Sequence, residues 1–175
     1  MRSIVRFSFA FAPLALFACG GEKPADSSDA PSSAPSATPA ATPTVTASAN
    51  TDSIGQSVYA TCTTCHQANG MGVPGAFPPL AGSDIVTGKP EIPVAIILHG
   101  LMGPVKVKGT EYNGMMTPWG GAFNDVQIAA VATYIRSQWG NSAPAVTPEL
   151  VAKVRAATSS RTAMWTWDEL QKASF

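Results

Sequence analysis

Charge is what this sequence has least of. Eleven lysines and arginines face eleven aspartates and glutamates, and charged residues make up only 13% of the 175 positions. That excludes the clustered basic excess that nucleic acid or an anionic membrane surface demands. From Asp52 onward the balance is again even, eight acids to eight bases, so docking there cannot lean on strong long-range steering. Cysteine and histidine are nearly absent, at three and two residues. Long apolar runs are missing too: the stretch from Phe7 to Phe17 is interrupted by Pro13 and is too short to span a bilayer as a helix. Proline and glycine, fifteen of each, are plentiful. Such a composition suits a small, loop-rich protein outside the cytoplasm better than a long helical one.

Arg2 and Arg6 ahead of that short apolar run mark residues 1–19 as a targeting segment. Its end, Leu16-Phe17-Ala18-Cys19, resembles the lipobox of bacterial lipoproteins. The resemblance implies that Cys19 becomes the lipidated first residue, and Gly20 is not the Asp that tends to hold such proteins at the inner membrane. Ordinary cleavage near Ala18 is the alternative, and it leaves Cys19 as an unpaired thiol. Residues 20–51 read as a disordered tether. In "GEKPADSSDAPSSAPSATPAATPTVTASAN" Pro, Ala, Ser and Thr fill 23 of 30 positions, and Val45 is the only large apolar side chain. Such a segment buries too little surface to offset its ordering entropy. Its reach, if fully polyproline-like, is on the order of 90 Å. A globular head on this tether can leave a membrane surface and find partners.

The rare residues then appear together. "YATCTTCHQANGMG" places Cys62, Cys65 and His66 within five positions. C-x-x-C-H is the attachment signature of c-type haem: two thiols three apart on a helical turn reach the two vinyl groups, and the next imidazole falls beneath the iron. Three other readings compete. A thioredoxin-like redox pair wants a βαβ context, and no strand-like run leads into the motif. A zinc site needs a fourth ligand, for which His99 is the other candidate nitrogen. A Cys62–Cys65 disulfide would close too small a loop to stabilise much.

Three further stretches bear on the choice: "CTTCHQANGMGVPGAFPPLAGSD", "ILHGLMGPVKVKGTEYNGMMTPWGG" and "DVQIAAVATYIRSQWGN". Together they resemble class I monohaem cytochromes c, in particular the cytochrome c domains associated with periplasmic alcohol dehydrogenases and copper nitrite reductases, over most of residues 53–141. The resemblance implies a second axial ligand from a loop that commonly reads N-G-x-M-P. Asn113 and Gly114 match it, Met115 falls at x and Met116 on the ligand. Thr117 stands where the proline belongs and Pro118 comes one residue late, so Met115 stays open as the alternative. It also implies that a proline carbonyl, from Pro78 or Pro79, accepts the Nδ1–H of His66, and that Leu80 packs on the porphyrin. Met71 and Met102 read as core or haem-edge residues. His99 ends a helical run where the macrodipole favours it without any metal, and reads as structural.

The fold class that follows is all-α: a cytochrome c domain over 52–141 with a short hairpin and loops around one haem, and a C-terminal helical extension over 142–175. A first helix is predicted from Ser53 to about Thr61, with Gly55 either allowing close helix contact near Tyr134 or merely opening the helix. "EIPVAIILHG" gives a helix with Pro93 in the first turn and Gly100 as its stop. "PVKVKGTEYNG" alternates as a hairpin. Asn124 with Gln127 caps a helix from Asp125 to about Trp139, with Ile128, Val131, Ile135 and Trp139 as its core stripe. In the extension, Thr147-Pro148 starts a helix and Thr166-x-x-Glu169 is a second capping box. Trp165 and Trp167 pack this tail back on the domain, or else form a docking surface.

The functional expectation is a periplasmic, lipid-anchored, one-electron carrier of redox partner proteins, with haem c and its iron held by Cys62, Cys65, His66 and Met116, and no nucleic acid partner. It is not an enzyme on this reading, because both axial positions are filled. The alternatives are a haem enzyme or gas or peroxide sensor with a labile distal ligand, and a fixed cytochrome subunit of a dehydrogenase or reductase complex.

Overall fold

The computed structural model describes residues 44–175. The targeting segment 1–19, Cys19 and tether residues 20–43 lie outside the described residues. Among those described are seven helices: α1 (Thr44–Tyr59), α2 (Thr63–His66), α3 (Asp84–Thr87), α4 (Glu91–His99), α5 (Asp125–Ser137), α6 (Pro148–Ala157) and α7 (Trp167–Lys172). Two strands, β1 (Leu101–Val107) and β2 (Thr110–Met116), interrupt them.

Two expectations need correction. The fold is mainly helical but not all-α: the hairpin is a regular antiparallel ladder running from Leu101↔Met116 to Val107↔Thr110. Lys108 and Gly109 join the strands with positive φ at both positions, 50° and 81°. That is the two-residue turn whose twist matches the strands on either side. The tether also ends sooner than expected. Residues 44–51 belong to α1, since after Pro43 no proline occurs before Pro74.

The centre of the core is α4, apolar all round because it is buried all round: Val94, Ala95, Ile96, Ile97 and Leu98 are each under 9% exposed. Burying each branched side chain is worth about 1.5–3 kcal/mol. Across it lies α5, started by the reciprocal Asn124–Gln127 capping box and burying Ile128, Val131 and Ile135. It stops at Ser137, not Trp139, whose φ of 55° turns the chain so that its ring meets Tyr59 at 5.0 Å and Tyr134 at 5.8 Å.

Helix α1 crosses α5 at Gly55. A Cβ there would stand 2.5 Å from the Ala130 carbonyl oxygen and 2.9 Å from Tyr134 Cβ, so the backbones meet only because it has none. The extension folds back through α6, where Arg155 binds Asp125 at 2.8 Å and the Gly120 carbonyl at 2.7 Å. Arg136, only 2% exposed, donates to the carbonyls of Pro144, Val86 and Gly88, which satisfies a buried guanidinium without an acid. Trp165 is buried, and Trp167 packs on the cluster of Val105, Val107 and Tyr112.

Candidate functional site

The C-x-x-C-H motif is one helical turn. His66 N–H donates to the Cys62 carbonyl at 2.9 Å, and Gln67, at φ 62°, ends the turn. Cys62 and Cys65, three apart, are free thiols on the wall of a cleft. Burial pushes the Cys62 thiol up; a hydrogen bond with Thr61 works against that, and the neighbouring Cys65 adds to the rise. The Tyr59 hydroxyl donates to the Gln67 carbonyl at 2.7 Å and so pins the chain directly after His66.

His66 is 8% exposed, and its Nδ1 lies 3.0 Å from the Pro78 carbonyl. A carbonyl only accepts, so Nδ1 carries the proton and Nε2 keeps its lone pair. Burial lowers the pKa of His66, and the Pro78 bond opposes this only in part. The ring is therefore neutral and ready to ligate. Of the two candidate prolines the carbonyl falls to Pro78, while Pro79 lines the cleft beside Leu80. Gly72 makes this possible. Its φ is +65°, and a Cβ there would collide with the Phe77 carbonyl and lie 2.6 Å from that of Pro78.

The facing wall is the hairpin. Side chains alternate across a strand, so Met115 and Met116 point to opposite faces. Met116 pairs with Leu101, and both line the cleft; Met115, whose partner across the ladder is Met102, borders the mouth of the cleft and is 63% exposed, against 47% for Met102. Beyond Met116, Trp119 N–H and Gly120 N–H bind the carbonyls of Ile97 and Leu98, which ties the ligand loop to the end of α4. His66 and Met116 also share a smaller apolar pocket behind the cleft, with Leu80 and Trp119.

The cleft holds about 1160 Å³ of empty space, part of it open to solvent. Its lining is mostly apolar; apart from the hydroxyls of Thr61, Ser83, Tyr112 and Thr117, the groups that could ligate are the two thiols, the His66 imidazole and the thioethers of Met115 and Met116. That donor set fits an iron porphyrin better than a hydrated ion. Among the described residues no three His, Cys, Asp or Glu side chains converge as a metal site, which leaves zinc without its ligands. His99 is turned elsewhere. Thr158 gives its hydroxyl hydrogen to the Val154 carbonyl, so His99 Nε2 must be the donor in its 2.7 Å bond to Thr158.

Three positioning residues escaped the sequence reading. Asn141, 6% exposed, donates to the carbonyls of Leu80 and Ile135 and accepts from Gly82 N–H, locking the loop that carries Leu80. Tyr59 and Trp119 act as described above. Only Trp119 had a local signal, lying within the ligand-loop stretch; the partners of the other two are set by the fold.

Comparison with known proteins follows the same lines. The family described as Cytochrome c matches residues 53–139. Cytochrome c-552 of Thermus thermophilus is 42% identical over 111 residues, covering 58% of this chain and 84% of its own. The cytochrome c subunit of alcohol dehydrogenase (quinone) from Gluconacetobacter polyoxogenes is 39% identical over 114 residues, covering 62% of this chain and 24% of its own. The gluconate 2-dehydrogenase cytochrome c subunit of Pantoea cypripedii is 35% identical over 105 residues, with 58% and 24% covered.

Proposed function

Because this chain belongs to the cytochrome c family, which holds a c-type haem covalently and transfers electrons through it, we propose that it is a tethered single-electron carrier with His/Met ligation. The observation that carries the proposal is that neutral His66, its Nε2 left free by the Pro78 bond, and Met116 line the same apolar cleft as Cys62 and Cys65. Cys62 and Cys65 would carry the thioether links, and His66 and Met116 would hold the iron. The bound haem supplies a one-electron Fe(III)/Fe(II) couple. The Met116 thioether, a soft donor, favours the reduced state and raises the potential. The Pro78 carbonyl holds the His66 ring in one orientation and strengthens its donation. Leu80, Val105 and Val107 keep water out, and with both axial positions taken no substrate site remains, so the chain acts as carrier and not as enzyme.

At the mouth of the cleft Phe77 and Met115 are exposed, with Met102 beside Met115 across the ladder. The head has no net charge, so this apolar rim is where redox partners dock briefly. Lipidation of Cys19 holds the protein to a bacterial membrane on the periplasmic side, with residues 20–43 as spacer. The dehydrogenase subunits among its relatives favour a second reading, a fixed subunit of such a complex. Against it, the chain spans 84% of the Thermus cytochrome and 24% of the two subunits compared above. Co-purification with a larger partner after gentle detergent extraction would reverse that preference.

Spectra of the exported holoprotein test the ligand set. Met116→Ala is expected to abolish the sulfur-to-iron charge-transfer band and to let carbon monoxide bind the reduced protein rapidly, while Met115→Ala leaves both as in the parent. The opposite pattern exchanges the two methionines. Rapid stoichiometric carbon monoxide binding by the parent protein would favour an enzyme or sensor.

A further inference from the structure

Residues 164–166 of the C-terminal extension run alongside β1 as a third, one-rung strand. Leu101 forms a parallel bridge with Trp165. Met102 N–H donates to the Trp165 carbonyl at 2.8 Å, and Trp165 N–H to the Gly100 carbonyl at 3.1 Å. On its other side Leu101 pairs with Met116. One rung therefore reads Trp165, Leu101, Met116, and β1 is an inner strand at the level of the sulfur. The junction is tightly built: a Cβ on Gly100 would strike the Met116 carbonyl and approach Met164 Cγ at 3.2 Å.

We propose that the extension is a positioning element for the sulfur ligand, with Trp165 as its anchor. The proposal rests on Met116 being that ligand. A two-stranded hairpin is marginal by itself, and an unsupported β1 would let the end of β2 swing away from the iron. The extension resists this in two ways. Its backbone takes up the outward-facing groups of Gly100 and Met102, and its side chains fix that backbone. The Trp165 ring, 7% exposed, lies under the Arg161 guanidinium at 3.5 Å and against the edge of Phe175. Arg161 also donates to the Met164 carbonyl at 2.7 Å and to Glu169, the carboxylate that closes the Thr166 cap.

The test uses full-length holoprotein as Trp165→Ala, Trp165→Phe and Met116→Ala. Trp165→Ala is expected to speed amide exchange at Met102 roughly tenfold, the loss of about one hydrogen bond of protection. It should also tighten binding of added imidazole to the oxidised iron roughly tenfold, because the sulfur is off the metal more often. Trp165→Phe should recover most of both. Faster exchange or a lower melting temperature with unchanged imidazole affinity would overturn the proposal and leave the strap a stabiliser only. Should Trp165→Ala fail to accumulate, Arg161→Met, which removes the cation above the ring, is read by the same two measurements and judged by the same outcomes. Met116→Ala separates the premise: a surviving sulfur band removes Met116 as ligand, whereas a lost band with imidazole affinity unmoved in the strap variants removes only the strap's role.

Discussion

A single hydrogen atom at position 72 sets the orientation of the His66 ring. Gly72 turns the chain at positive φ, lets the Pro78 carbonyl pass at van der Waals distance, and so places it 3.0 Å from His66 Nδ1. Gly72→Ala is expected to cost about 2 kcal/mol, as left-handed backbone strain in a non-glycine residue does. It should also raise the reduction potential, because a loosened Nδ1–H bond weakens donation from the ring. Denaturant unfolding and a redox titration measure the two. The other histidine gives a pH signature. Burial lowers the pKa of His99, with the nearby charges of Arg161 and Arg155 acting in the same direction. The unfolded chain takes up that proton near pH 6.5 and the folded one only at lower pH, so its stabilising contribution is whole above about 6.5 and lost as pH falls through the window below. The melting temperature of the holoprotein should drop on acidification from pH 7.5 to 5.5, and His99→Gln should flatten that drop. Glu149 and Glu169, both with lowered pKa, act in a more acidic range.

At the scale of elements the helix crossing and the hairpin matter most. Glycine inside a helix costs about 1 kcal/mol relative to alanine, so Gly55→Ala would stabilise α1 if the position were open. With the Ala130 carbonyl 2.5 Å from the added carbon, the expected outcome is instead a loss, on the order of 2 kcal/mol for alanine and more for valine. A stabilised alanine variant in denaturant titration would contradict the close crossing. Elements with local rules were legible in the sequence. Pro93 and Gly100 bounded α4, Asn124 with Gln127 began α5, and Thr166 with Glu169 began α7, because each device acts within one turn. The hairpin was legible as alternation, but not its length, nor that Met116 is its last residue. The early start of α1 was hidden by the tether-like composition of residues 44–51.

Within residues 44–175 the helices are joined by one antiparallel hairpin, and the C-terminal extension packs back on α4, α5 and β1. The covalent cofactor was readable from Cys62, Cys65 and His66 alone, since the attachment chemistry needs three side chains at fixed spacing on one turn and no partner from elsewhere. So were the caps and the turn residues, which depend on neighbours in the chain. Other features came only from the fold. Pro78 was separated from Pro79 by the loop around Gly72. Met115 and Met116 lie on opposite faces of β2, and only strand register shows that Met116 is the one paired with Leu101. Asn141, Tyr59 and Trp165 owe their roles to residues distant in sequence, and such contacts exist only after the chain has packed. Local geometry is written in consecutive residues, but facing is a property of surfaces.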